Sequence, residues 1–77
     1  MSKLKNFLGN SNQFFTHKII EEDGGYNYFF DVHITGLVLV TRENISTEEF
    51  KYANGGFDLS SAISNRVSLD YKNINEL

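Results

Sequence analysis

The sequence predicts an α+β domain: a small antiparallel sheet of three to four strands, a β-hairpin continued as a meander, with two or three short helices in the order α-β-β-β-α-α-β. Three observations carry this reading. Residues 26–34, "YNYFFDVHI", alternate strictly, with Tyr26, Tyr28, Phe30, Val32 and Ile34 on one face and Asn27, Phe29, Asp31 and His33 on the other. Asp23-Gly24-Gly25 precedes that run and marks a tight hairpin turn, because primed turns need positive φ. Ser46 and Glu49 have capping-box spacing, with Ile45 and Phe50 at the positions of a hydrophobic staple.

Taken in order, residues 2–8, "SKLKNFL", have the pattern of a short helix capped by Ser2 and stopped by Gly9, with Leu4, Phe7 and Leu8 on one side. Residues 13–22 are rich in β-branched and aromatic side chains and read as the first strand. Two hairpin registers compete. A two-residue Gly24-Gly25 turn pairs Ile19 with Phe30, His17 with Val32 and Lys18 with Asp31; a three-residue turn pairs Lys18 with Phe30 and His17 with Asp31. The first is favoured, since it sets opposite charges across from each other.

Thr35-Gly36 marks the next turn, and residues 37–42, "LVLVTR", read as a central strand buried on both faces. The capping box then predicts a helix over about 47–53, stopped at Asn54-Gly55-Gly56. The rival is a hairpin, since "FKYANGGF" sets Asn-Gly between aromatics. Asp58 caps a second helix near 59–66, with Leu59, Ala62, Ile63 and Arg66 on one side. Residues 67–71, "VSLDY", alternate and predict a last strand, and 72–77 reads as a loose tail.

A chain of 77 residues is expected to be one domain with a marginal core. With no Cys and with His17 and His33 as its only histidines, it has neither a disulfide nor a thiolate metal site, and no metal or other cofactor is expected. Self-association is the expected supplement to so small a core. Seven Lys and Arg against ten Asp and Glu give a net charge of −3, and the cations are scattered, so direct nucleic-acid binding is disfavoured. No segment resembles a signal peptide, and the longest apolar run, Leu37 to Val40, is far short of a membrane span. The expected location is the cytoplasm, a host's if the gene is a phage's: Asn, Lys, Ile and Phe are abundant, as in products of AT-rich phage genomes.

The catalytic candidates are thin. Asp31 and His33 sit two apart on one strand face, about 7 Å from each other. They have the residue types for general-base work, but no Cys or G-x-S-x-G serine accompanies them. "DGGY" and "NGGF" lack the lysine and spacing of a phosphate loop. No enzyme is expected.

The binding candidates are stronger. Glu21, Glu22 and Asp23 crowd one hairpin tip, where like charges do nothing evident for the fold. Tyr26, Asn27, Phe29 and Asp31 follow on the same hairpin, and Phe14, Ile20 and Phe29 are expected to share its helix-free face. Either the N-terminal helix covers that face or the face is a contact surface, for a partner or for a homodimer.

In layout, "GLVLVTRENISTEEFKYANGG" with "VSLDYKNI" resembles the small phage inhibitors of uracil-DNA glycosylase, which combine an acidic turn, aromatic strands and a short helix in a dimer. The resemblance covers about half of the chain and transfers no site residue. It implies the class of small acidic phage proteins, anti-CRISPR proteins and DNA mimics among them, that block a host nucleic-acid enzyme or defence complex. The expected function is therefore a non-enzymatic inhibitor of a protein with a basic surface. The alternatives are an assembly protein that oligomerises through its aromatic face and a single-stranded nucleic-acid-binding module.

Overall fold

The computed structural model describes residues 14–77; the helix expected over 2–8 lies outside them. Four strands, β1 (Phe14–Asp23), β2 (Tyr26–His33), β3 (Val38–Asn44) and β4 (Phe50–Asn54), form one antiparallel sheet in sequence order. One helix, α1 (Leu59–Ser64), follows, with 3-10 turns at Arg66–Ser68 and Ile74–Glu76. The expected small antiparallel sheet is present. Among the described residues the order and number of the helices differ from the expectation.

The main core lies between the sheet and α1. Tyr28, Phe30, Val38, Val40 and Ala62 are buried there, with Ile20, Tyr26, Val32, Leu59, Ile63, Leu69 and Tyr71 packed around them. The alternation in β2 and the apolar side of α1 supply this layer as expected, and Asp58 caps α1 by accepting from the Ser60 amide. Gly55 lets the layers meet. A Cβ there would lie 3.0 Å from both Val38 Cγ1 and Ala62 Cβ. The run Leu37–Val40 is buried on both faces, as its unbroken apolarity predicts, because Leu37 and Leu39 join Leu77 in a second cluster behind the sheet. The segment expected as a loose tail is thus tied down: Asn73 and Glu76 form a capping box and Leu77 is buried.

Three expectations are corrected. Residues 47–53 are not helical. Asn44 takes the Ser46 and Thr47 amides on its side-chain oxygen, and Asn44 N–H donates to the Glu49 carbonyl. This turns the capping-box segment into the loop of a β3–β4 hairpin, with Glu48 at a φ of 61°. Strand pairing prevails because β3 would otherwise leave a row of backbone groups unpaired beside the core. The hairpin is not the rival one either: Asn54-Gly55-Gly56 ends β4 rather than making its turn.

Residues 67–71 form no strand. Among the described residues only an isolated bridge, Tyr52 with Lys72, reaches the sheet there. Side chains tie this segment to the end of α1 instead, Arg66 Nη1 donating to Ile63 O and Tyr71 Oη to Arg66 O. Leu69 and Tyr71 alternate onto the core cluster, while Val67 points to solvent.

The third correction is the register of β1. The turn is the expected two-residue Gly24-Gly25, with Asp23 opposite Tyr26. Beyond it the pairing slips, so that Ile20 faces Tyr28, Ile19 faces Phe29 and Lys18 faces Phe30; it slips again, so that Thr16 faces Asp31 and Phe14 faces His33. β1 carries an extra residue at each slip. At the first, Glu22 adopts a φ of 53° and its N–H donates to Asn27 Oδ1 at 2.8 Å. At the second, His17 Nδ1 donates to its own strand, onto Phe15 O at 2.9 Å. The charge-paired register, which is not adopted, would set Ile20 opposite Phe29, on the face away from α1, and Ile19 opposite Phe30 in its place.

Two substitutions test this packing. Gly55→Ala is expected to lower the urea-unfolding free energy by about 1–3 kcal/mol, since the new methyl meets the buried Val38 and Ala62 rather than flexible chain ends. Ile20→Ala is expected to lose about 2 kcal/mol and Ile19→Ala less than about 1 kcal/mol, a ranking the charge-paired register reverses.

Candidate functional site

The slipped register decides what the two faces of the sheet present. On the α1 side, Arg42 stacks between two tyrosines, its guanidinium carbon 4.4 Å from the Tyr26 ring centre and 4.1 Å from that of Tyr71. Arg66 Nε donates to Asp23 Oδ2 at 2.9 Å, and its guanidinium lies over Tyr28 at 5.8 Å. This net fastens the tip of the first hairpin to the segment after α1. Burial raises the Tyr28 hydroxyl above the ordinary tyrosine value and pushes that of Tyr71 well above it, where the neighbouring Tyr28 adds to the effect.

The other face is built differently. Pairing sets Ile19, Phe29, Thr41 and Tyr52 in one row across all four strands. A polar row of Asn27 and Glu43 runs beside it toward the tip and ends at Phe50, with Asn27 Nδ2 donating to Glu43 Oε1 at 3.2 Å. On the opposite side stands Asp31, whose Oδ1 accepts from Thr16 Oγ1 at 2.6 Å. Thr16, Phe29, Asp31, Thr41, Phe50 and Tyr52 enclose an open groove of about 360 Å³. Ile19 and Phe50 are 48 % and 45 % exposed at its margins. The far end of this face is closed by Phe14, Leu37, Leu39 and Leu77.

The site residues expected from the sequence therefore separate. Glu21 and Glu22 are exposed at the tip. Asp23 is engaged by Arg66, and Tyr26 lies under Arg42. Asn27 links Glu22 to Glu43. Phe29 and Asp31 line the groove. Of the expected contact trio, Phe14 and Phe29 share the face away from α1, but Ile20 turns into the main core and Ile19 stands beside Phe29 in its place. None of the trio is fully buried.

Phe50 and Tyr52, two walls of the groove, escape the sequence reading because it assigns them to a helix. The Asn44 side chain that diverts this segment is the signal for them. Asp31 and His33 do not form a pair: His33 is buried, in edge contact with Phe14 at 5.0 Å, and its Nδ1 accepts from the Thr35 N–H. Among the described residues no cluster of His, Asp and Glu is gathered that could hold a metal, and no helix is long and apolar enough to cross a membrane. The chain matches no protein family, no curated protein and no solved structure.

The tyrosine net makes stability fall at high pH. Both hydroxyls keep their protons in the fold above the pH at which the unfolded chain releases them, so unfolding is favoured as pH rises past about 10. Urea midpoints are expected to be level up to about pH 9 and to fall beyond it, with a shallower fall in Tyr71→Phe. At neutral pH that variant is expected to lose about 1 kcal/mol, the worth of its hydrogen bond to Arg66 O.

Proposed function

We propose that the chain is a non-enzymatic protein-interaction module of the inhibitor type, which docks its helix-free sheet face onto a basic site of a partner protein. The observation that supports this is the groove across β1–β4, with the rings of Phe29, Phe50 and Tyr52 at its walls and one carboxylate, Asp31, among them. Exposed aromatic rings on a small domain are costly in water and supply most of the affinity once buried. The carboxylates Asp31 and Glu43 on the face, with Glu21 and Glu22 at the tip, steer it toward positive surface and away from phosphate. A host nucleic-acid-acting enzyme or defence complex, whose working surface is basic, fits this requirement.

Capture from a host lysate on immobilised protein tests the reading when three baits are compared. A specific partner is expected on the wild type and on Val67→Ser, an exposed site away from the groove, and to fall by about tenfold on Phe29→Ser. Equal capture by Phe29→Ser, at unchanged thermal stability, removes this face from the function. Loss of the partner on Glu21→Lys/Glu22→Lys with retention on Phe29→Ser moves the contact to the hairpin tip.

A further inference from the structure

The groove on the helix-free face also has the chemistry to choose one kind of side chain, an inference that rests on the interaction reading above. Its walls are the rings of Phe29, Phe50 and Tyr52, and a single carboxylate, Asp31, stands among them. The Thr16 hydroxyl holds that carboxylate by one oxygen at 2.6 Å, which fixes its direction. Aromatic walls with one oriented carboxylate suit a flat cation that stacks and donates together.

No cation of this chain's described residues supplies that group. Lys18, Arg42 and Lys51 stand opposite Phe30, Tyr28 and Arg42 on the α1 side, and Arg66 is held there by Asp23. Lys72 pairs with Asp70 at 3.3 Å. On the α1 face aromatic rings already hold an arginine: Arg42 lies between Tyr26 and Tyr71, within 4.4 Å of both ring centres.

We propose that the groove is an arginine-reading subsite, in which the guanidinium of a partner protein's arginine lies against the rings of Phe29, Phe50 and Tyr52 and donates to Asp31. Arginine suits it better than lysine because the guanidinium is planar, weakly hydrated and able to give parallel hydrogen bonds while stacked. A nucleobase suits it less, because Asp31 and Glu43 stand on the face and repel the phosphates that accompany a base.

The test is a titration of isotope-labelled protein followed by amide chemical shifts, with two capped tripeptides. One carries arginine between two leucines and the other citrulline, which keeps the shape and loses the charge. The arginine peptide is expected to shift the amides of Phe29, Asp31 and Thr41 saturably, and the citrulline peptide to bind about tenfold more weakly. Asp31→Asn keeps an acceptor for Thr16 and is expected to bring the two peptides within about twofold of each other. Phe29→Leu, which keeps the face apolar, is expected to weaken the arginine peptide alone.

Equal affinities for the two peptides overturn the proposal, as do shifts confined to Glu21 and Glu22 or groove shifts produced by an oligothymidylate instead. If the peptides cannot be told apart while a captured partner is still lost on Phe29→Ser, the subsite fails and the interaction reading stands. If the peptides separate as expected while Phe29→Ser captures normally, the reverse holds.

Discussion

The pairing of β1 with β2 is the constraint from which the rest of the molecule follows. Two extra residues in β1, one near Glu22 and one at His17, displace the ladder by a residue each. Side chains alternate along a strand, so each displacement exchanges what faces the core with what faces away. The first sends Ile20 to Tyr28 and Phe30 and turns Ile19 outward beside Phe29. The second brings Thr16 against Asp31 and orients the only carboxylate that lines the groove. Glu22 in a left-handed backbone conformation costs about 1–2 kcal/mol. Capture of the Glu22 amide by Asn27 Oδ1 offsets about 1 kcal/mol of that cost.

The same alternation sorts the charges. Lys18, Arg42, Lys51 and Arg66 stand on the α1 side, where two of them are held by tyrosine rings. An arginine between two rings is worth roughly 0.5–2 kcal/mol, more than an exposed pair such as Lys72 with Asp70, which contributes at most about 1 kcal/mol. Arg42 and Arg66 are therefore structural. The carboxylates left on the opposite face, Asp31 and Glu43, have Phe29 and Phe50 as neighbours, and the proposed preference for positive partners rests on that pairing.

Much of the scaffold is legible in the sequence. The alternation of 26–33, the turns at Gly24-Gly25 and Thr35-Gly36, the doubly buried Leu37–Val40 and the Asp58 cap all stand in the structure, because each is set by neighbours in the chain; Ile34, expected on the inner face, is exposed beyond the end of β2. The unforeseen features are set across the chain. Ser46 and Glu49 have capping-box spacing, yet Asn44 competes for the same amides, and an unpaired β3 edge tips the segment into β4. Val67, Leu69 and Tyr71 alternate like a strand because two of them must lie on a helix-side cluster, which needs no ladder. Two residues of the candidate site, Phe29 and Asp31, are visible in the sequence. Phe50 and Tyr52 were hidden by the helix reading, and Ile19 by a slip that no local pattern announces.

The register of β1 is open to direct measurement by nuclear Overhauser contacts between side chains across the two strands. This account predicts cross-peaks joining Ile19 to Phe29, Ile20 to Tyr28 and Thr16 to Asp31. Cross-peaks joining Ile20 to Phe29 and Lys18 to Asp31 would contradict it, because Ile20 would then stand outward and the groove would lose its oriented carboxylate.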